Sequence, residues 1–247
     1  MQASINTAVF ASKIQAGGSQ LSYLEQLSDY PIDNIEVRGE LFNEETKDSE
    51  LKAIYELCQK QNWGFFYSVP EQLFKTTEVN PNLEDHLKMA EKYHIGHLKI
   101  SLGDLEDISV DQLESLKDLL NNYDVKVTIE NEPNENGVLD NIVQQIIKLR
   151  ELDIPLGYTF DSGNWYWILE DPEDAFKKIS EAITVFHLKD IKDKETVMLN
   201  EGTTNWKSLI NNLSNNIPVF IEYETSEQEL PGQIKLVNNA LKDRDSK

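Results

Sequence analysis

Residues 125–136, VKVTIENEPNEN, place a carboxylate at the end of an apolar strand. Side chains alternate between the two faces of a β-strand, so Val125, Val127 and Ile129 share one face while Glu130 lies on the other. Glutamate is an unexpected residue to bury at such a position. The stretch therefore indicates a functional carboxylate at the carboxyl end of a strand.

Three later segments repeat this pattern. PLGYTFDSGN carries Asp161, ITVFHLKD carries His187 and IPVFIEYE carries Glu222. Successive polar residues of this kind are 31, 26 and 35 positions apart, near the length of one strand, one helix and their connections. We therefore predict a repeated βα unit that brings four side chains together, and we call them the quartet: Glu130, Asp161, His187 and Glu222.

The alternation of strand and helix extends along the whole chain. The predicted strands cover residues 5–10, 34–39, 63–69, 96–103, 125–130, 156–161, 183–188 and 218–223. The predicted helices cover residues 20–29, 47–61, 83–93, 110–122, 138–151, 172–182 and 205–213, and a last helix ends near residue 242. Eight such repeats favour a closed (β/α)8 barrel over an open sheet. No glycine-rich phosphate loop follows the first strand, and no linker divides residues 1–247, so we predict a single domain.

Charge and composition narrow the classes of partner. The chain has 44 acidic and 23 basic residues, a formal net charge of −21, which disfavours nucleic acid and anionic membranes. Its apolar runs are too short to span a bilayer, and its N-terminus, MQASINTAVF, has neither a basic leader nor a long apolar segment. The single cysteine, Cys58, fits a reducing compartment. We expect a cytoplasmic protein; the sequence leaves a homo-oligomer open.

The quartet has the chemistry of a metal site. Three carboxylates and one imidazole form a hard to borderline ligand set that suits Mn²⁺, Mg²⁺ or Co²⁺ and tolerates Zn²⁺. Buried together without a cation, the carboxylates would repel one another and tend to protonate. We predict one divalent ion, with Mn²⁺ as the first choice.

The motifs TIENEPN, YTFDSGNWY, VFHLKD and FIEYE, with IEVRGE at the second strand, resemble the xylose-isomerase-like barrel superfamily of sugar-phosphate isomerases and epimerases. The resemblance implies that the quartet binds one metal ion and that Glu130 and Glu222 exchange a proton with the substrate. Many relatives have histidine where this chain has Asn164. The chain has only four histidines, which disfavours the multi-zinc site of the endonuclease relatives. The loop NEGTTNW (200–206) resembles the family's glycine-containing loop only in part.

Several further residues have two interpretations. Lys189 can stabilise an oxyanion or act as a base, or it can pair with nearby acids. Glu36 and Arg38 can bind substrate oxygens or pair with each other. Asn164 and Trp165 are candidate substrate contacts, although an aromatic residue at the start of a loop usually packs.

The resemblance implies a metal-dependent isomerase or epimerase that moves a proton next to a carbonyl through an enediolate. One alternative is a dehydratase acting on an inosose- or dehydroshikimate-type substrate, and another is a non-catalytic barrel that binds a metal or a sugar. With only three arginines, the chain can hardly assemble a bidentate phosphate clamp. This favours an unphosphorylated sugar or polyol as the partner.

Overall fold

The structure, a computed structural model, describes residues 1–246 of the chain. Its strands are β1 (Ala3–Asn6), β2 (Ile32–Arg38), β3 (Gly64–Lys75), β4 (Glu78–Val79), β5 (His97–Gly103), β6 (Lys126–Glu130), β7 (Leu156–Asp161), β8 (Ile183–Leu188), β9 (Asp190–Lys192), β10 (Glu195–Val197) and β11 (Val219–Ile221). Its α-helices are α1 (Ala11–Gln15), α2 (Gln20–Glu25), α3 (Lys47–Gln61), α4 (Leu83–Lys92), α5 (Val110–Asn121), α6 (Leu139–Glu151), α7 (Pro172–Ile179), α8 (Trp206–Asn212) and α9 (Leu230–Asp245). No helix within residues 1–246 has the length and apolar character that a bilayer crossing requires.

Eight of the strands form one ring. Their order is β2, β1, β11, β8, β7, β6, β5 and β3, and β3 pairs in turn with β2. Every pairing around this ring is parallel. Parallel neighbours need crossover connections, which the flanking helices provide. The predicted closed (β/α)8 barrel is confirmed.

The first strand is shorter than predicted. The pattern of residues 5–10 indicated a strand, but β1 ends at Asn6 and Thr7–Phe10 form a 3₁₀ turn. The Asn6 side chain accepts a hydrogen bond from the backbone N–H of Ala8 at 2.8 Å, which caps this turn. Val9 and Phe10 are nevertheless buried, so their apolar character did not indicate that the strand ends before them.

Two hairpins at the mouth were not predicted. β3 runs six residues beyond its predicted end at residue 69, and its extension pairs with the short antiparallel strand β4. β9 and β10 form a separate antiparallel hairpin, and the two residues of its turn, Asp193 and Lys194, both have positive φ. Turns of this type usually contain glycine or asparagine, so the pair Asp193–Lys194 gave no hairpin signal.

The strands around the quartet separate apolar and polar side chains as alternation requires. Phe160 on β7 faces outward and contacts Phe176 of α7 with ring centroids 5.8 Å apart. On the inner face, Thr159 donates a hydrogen bond to Thr128 of β6 at 2.7 Å. Apolar packing thus lies between strands and helices, while the lumen is lined by groups that can form hydrogen bonds.

Aromatic rings fill the lumen beneath the quartet. His97, the first residue of β5, stacks on Phe66 at 4.5 Å, and Phe66 meets Phe220 edge to face at 4.9 Å. Phe220 contacts the ring of His187 at 5.6 Å. His97 therefore lies at the opposite end of the lumen from the mouth. Burial, with smaller contributions from Lys126 and His187, lowers the pKa of His97 to about 3.

The buried, neutral His97 should make the barrel less stable in mild acid. The pKa of His97 is about 3 in the folded protein and about 6.5 in the unfolded chain. Below pH 6.5 the unfolded chain therefore binds a proton at this histidine that the folded protein does not bind. We expect His97 to reduce the free energy of unfolding by about 1 kcal/mol between pH 6 and pH 5. Urea unfolding of wild type and His97→Gln at both pH values measures this. The exposed His94 provides the control: His94→Gln should retain the wild-type pH dependence, and an equally steep dependence in His97→Gln would contradict the expectation.

Candidate metal centre

The structure brings the quartet together at the carboxyl end of the barrel. Glu130 and Asp161 end β6 and β7, His187 is the penultimate residue of β8, and Glu222 directly follows β11. One potential ligand atom from each residue lies within 4.8 Å of the others, and all four residues are buried. The strand ends predicted from the sequence therefore do meet.

The imidazole of His187 lies at the centre of the group. Its Nδ1 is 2.9 Å from Oε1 of Glu130 and 2.8 Å from Oε2 of Glu222. These three atoms are buried, and within residues 1–246 none has a partner aligned for a hydrogen bond. Buried polar atoms normally find a partner. Carboxylate oxygens and an imidazole nitrogen directed at one region without bonding to each other have the arrangement that a shared divalent cation requires.

Two lysine side chains partly neutralise the carboxylates. Lys99 donates to Oε2 of Glu130 at 2.7 Å, and both side chains are buried. Lys189 donates to Oδ2 of Asp161 at 2.5 Å, and its Nζ is 3.2 Å from Oε2 of Glu222. Lys189 thus pairs with nearby acids, which was the second of the two interpretations of this residue. Lys99 reaches the lumen and also belongs to an interior ion pair.

Arg38 and Glu36 bond to other residues and not to each other, so the pairing that was one of their two interpretations is not formed. Arg38 donates from Nη1 to Oε1 of Glu222 at 2.6 Å and from Nε to Oε1 of Glu40 at 2.6 Å. Glu36 is fully buried and is bonded instead to Asn6, whose Nδ2 donates to its Oε1 at 2.5 Å. Arg38 is the last residue of β2 and is partly exposed, so its long side chain extends across the mouth while Glu36 stays inside the lumen.

Burial and neighbouring charges shift the pKa values of the quartet in different directions. Burial raises the pKa of Asp161, and repulsion from Glu222 and Glu130 adds to this, so the nearby Lys189 does not reverse the shift. For Glu222, burial also acts to raise the pKa, but the charges of His187, Lys189 and Arg38 outweigh it and the pKa lies well below its usual range. Burial and negative neighbours thus prevail at Asp161, whereas positive neighbours prevail at Glu222.

His187 is a base, so burial shifts its pKa in the opposite direction from that of a carboxyl group. Burial acts to lower its pKa, but Glu222, Glu36 and Glu130 outweigh burial and raise the pKa well above 6.5. A neutral imidazole is the form that binds a metal ion, so a metal ion competes with this proton. The donor set, three carboxylates and one imidazole with one potential ligand atom each within 4.8 Å of the others, fits a divalent cation held by the quartet.

Asn131 and Asn164 hold the loop that carries Asp161. Asn131 accepts from the Asp161 backbone N–H at 2.9 Å and donates to the Asp161 carbonyl at 3.1 Å. Asn164 was predicted to contact substrate, but its side-chain amide donates to the Asn131 carbonyl at 2.8 Å. Its backbone N–H also donates to Oδ1 of Asp161 at 3.0 Å. In this structure Asn164 positions Asp161.

Trp165 does not face the mouth, contrary to the predicted substrate contact. Its ring packs on Phe160, with centroids 5.6 Å apart, and is fully buried. Phe160 lies on the outer face of β7, so Trp165 belongs to the layer between strand and helix. Trp165 follows the other interpretation, in which an aromatic residue at the start of a loop packs against the protein.

Sequence reasoning missed two polar residues that support the site. Asn6 is fully buried and links Glu36 to Glu222, because its Nδ2 lies 2.5 Å from the first and 3.3 Å from the second. Asp190, also fully buried, accepts backbone N–H groups of Asn200, Gly202 and Thr204, each at 3.0 Å, and so holds the loop after β10. The sequence did contain a signal for Asp190, which is an aspartate just after a predicted strand and is followed by a long polar loop.

Fold and site together define a (β/α)8-barrel protein with a carboxylate and imidazole cluster at its carboxyl end, where such barrels carry active sites. The model of the family described as "Xylose isomerase-like TIM barrel" matches residues 25–242, and the chain belongs to this family. A search of curated proteins found no match.

Solved structures share the fold over almost the whole chain. A D-tagatose 3-epimerase-like protein is 17% identical, with a TM-score of 0.71, covering 100% of this chain and 99% of that one. The probable 3-DHS dehydratase AsbF of Bacillus anthracis is 16% identical, with a TM-score of 0.71 and coverage of 96% and 98%. A xylose isomerase domain-containing protein of Salmonella typhimurium LT2 is 18% identical, with a TM-score of 0.74 and coverage of 97% of each chain.

Proposed function

We propose that the protein is a divalent-metal-dependent isomerase or epimerase that transfers a proton next to the carbonyl of a sugar or polyol. The observation that carries this proposal is the position of Glu130 and Glu222. Their strands are separated in the ring by β7 and β8, yet both carboxylates reach within 2.9 Å of the same nitrogen of His187. Two carboxylates at one point, from different parts of the ring, suit a pair that acts on one carbon from two directions.

The neighbouring charges keep both glutamates ionised in the absence of substrate. Lys99 and His187 lower the pKa of Glu130 against the effect of burial, so Glu130 is ionised and can accept a proton from carbon. For delivery to the other face of the carbon, Glu222 takes a proton from the Lys189 ammonium group, whose Nζ is 3.2 Å from its Oε2, and passes it to carbon. Solvent then removes the proton from Glu130 and restores the one on Lys189. A divalent ion held by the quartet would supply the positive charge that polarises a substrate carbonyl and stabilises the negative charge developing on its oxygen. Lys189, next to Asp161 and Glu222, adds a second positive group at the same place.

Two further features of the substrate and metal follow from the residues. Arg38 is the one arginine at the site, because Arg150 bonds to the Glu181 carbonyl and the buried Arg244 bonds to the carbonyls of Ser214, Asn215 and Ile217. This supports an unphosphorylated substrate, since bidentate phosphate recognition uses arginine, and the two lysines at the site, Lys99 and Lys189, are already paired with Glu130 and Asp161. The oxygen-rich quartet supports Mn²⁺, with Mg²⁺, Co²⁺ or Zn²⁺ as alternatives.

A dehydratase is a second candidate, and the position of Lys189 favours it. Elimination of a hydroxyl after enolisation needs a proton donor for the leaving oxygen as well as a base for carbon. The Lys189 ammonium group, 3.2 Å from Glu222, can supply such a proton. The base in this reaction is the same carboxylate, so the two candidates differ only in the fate of the enediolate.

Metal removal and product analysis in ²H₂O test both candidates. We expect protein stripped with EDTA to be inactive and Mn²⁺ to restore turnover of a panel of ketohexoses, pentuloses and inososes. An isomeric sugar with solvent deuterium at one carbon supports the isomerase or epimerase. Loss of water with an enone-like absorbance identifies the dehydratase instead. A protein that binds Mn²⁺ and sugar but turns over no member of the panel would refute both enzyme candidates and favour the non-catalytic binding barrel.

A further inference from the structure

Glu36 is a fully buried carboxylate that the proposed proton transfer does not use. It lies on β2, three strands away from His187 in the ring, yet its Oε1 is 3.3 Å from Nε2 of His187. Nε2 is the imidazole nitrogen in this contact with Glu36, whereas the contacts of Glu130 and Glu222 are with Nδ1, at 2.9 and 2.8 Å. The other ring nitrogen, Nδ1, faces Glu130 and Glu222. The two nitrogens of His187 thus face different carboxylates.

Asn6 fixes the position of Glu36. It donates from Nδ2 to the same Oε1 of Glu36 at 2.5 Å and lies opposite Glu36 in the pairing of β1 with β2. Asn6 is itself held, because its Oδ1 accepts the backbone N–H of Ala8 at 2.8 Å. Within residues 1–246, Nε2 of His187 and Oε2 of Glu36 are both buried without an aligned hydrogen-bond partner, so the 3.3 Å contact between the two residues is a close approach and not a formed hydrogen bond. The fixed carboxylate is nevertheless the acceptor that faces a proton on Nε2, and a proton there leaves the lone pair of a neutral imidazole on Nδ1.

We propose that Glu36 is a positioning residue that holds the proton of His187 on Nε2 and thereby makes Nδ1 the metal-binding nitrogen. The inference rests on the proposed metal site but assigns Glu36 a role different from the substrate contact predicted from the sequence. Metal-bound histidines usually donate their second N–H to a carboxylate or carbonyl, which fixes the tautomer and the ring orientation, and loss of such a partner typically weakens metal binding about 10- to 100-fold.

Metal titration tests the consequence for affinity. We expect Glu36→Ala to raise the Kd for Mn²⁺ about 10- to 100-fold, measured by electron paramagnetic resonance of free Mn²⁺. Glu36→Gln should bind Mn²⁺ more tightly than Glu36→Ala, because its amide oxygen can still accept from Nε2. Glu50→Gln is the matched control: Glu50 is also buried, but it accepts the backbone N–H of Leu21 at 3.0 Å on α3 and should leave the Kd unchanged. Circular dichroism establishes that each variant is folded.

Nitrogen-15 NMR of the Zn²⁺-loaded protein tests the tautomer directly, and a chain with four histidines gives a spectrum that can be assigned. We expect Nε2 of His187 to carry the proton and Nδ1 to show the shift of a coordinated nitrogen. The opposite assignment in wild type, or wild-type Kd and spectrum in Glu36→Ala, would overturn the role of Glu36 alone. Wild-type protein that binds neither Mn²⁺ nor Zn²⁺ would instead refute the proposed function.

Discussion

Glu130→Gln and Glu222→Gln should each lower turnover by about 10²- to 10⁴-fold, the contribution usual for a general acid or base. Glutamine keeps the shape of glutamate and a neutral oxygen ligand, but it cannot accept a proton from carbon at neutral pH. Each variant should therefore lose more activity than its weaker metal binding explains. Turnover is measured at Mn²⁺ concentrations well above the Kd of each variant, so that loss of metal does not contribute.

Glu224→Gln is the matched control for this pair. Glu224 lies two residues after Glu222 and is exposed, so the same chemical change should leave turnover at the wild-type level. A further distinction comes from exchange of the substrate proton with ²H₂O, which should be lost in the variant that lacks the base for that proton. Metal-loaded Glu130→Gln and Glu222→Gln proteins that turn over every substrate as fast as wild type would refute the proposed acid and base pair.

The barrel could be predicted because its signals are local. Strands β7 and β8 have the predicted bounds, and so does helix α3, because apolar residues at strand or helix spacing stop where polar or turn residues begin. The meeting of the quartet followed from the same logic, since the carboxyl ends of parallel strands in a closed ring face one mouth. Neither step needed knowledge of how side chains pair across the lumen.

The pairing inside the lumen could not be predicted, because it depends on contacts between distant strands. Arg38 and Glu36 share a face of β2 and suggest a local ion pair, yet Arg38 bonds to Glu222, 184 positions away in sequence. Asn6 lies within INTAVF, which has the pattern of a longer strand, so nothing marked it as the link between Glu36 and Glu222. Such partners depend on strand order and register, which the sequence pattern does not specify at the level of single side chains.

Lys99→Met should destabilise the metal-free protein by about 3–5 kcal/mol, the range found when one partner of a buried ion pair is removed. Lys99 donates to Glu130 at 2.7 Å with both side chains buried. Burial acts to lower its pKa, but Glu130, Glu222 and Glu36 outweigh burial and raise it, so the lysine is charged. Methionine fills similar space without charge and leaves Glu130 without its nearest cation. Urea unfolding at pH 7 measures the loss.

Added Mn²⁺ distinguishes this electrostatic explanation from a simple packing defect. A cation held by the quartet contributes positive charge next to Glu130, so Mn²⁺ should raise the unfolding midpoint of Lys99→Met more than that of wild type. Lys88→Met is the matched control, because Lys88 pairs with Glu84 at a similar distance, 2.9 Å, but both side chains are exposed. It should leave the midpoint and its response to Mn²⁺ unchanged. A Lys99→Met protein that unfolds like wild type, or gains no more than wild type from Mn²⁺, would show that groups other than Lys99 balance the charge of Glu130.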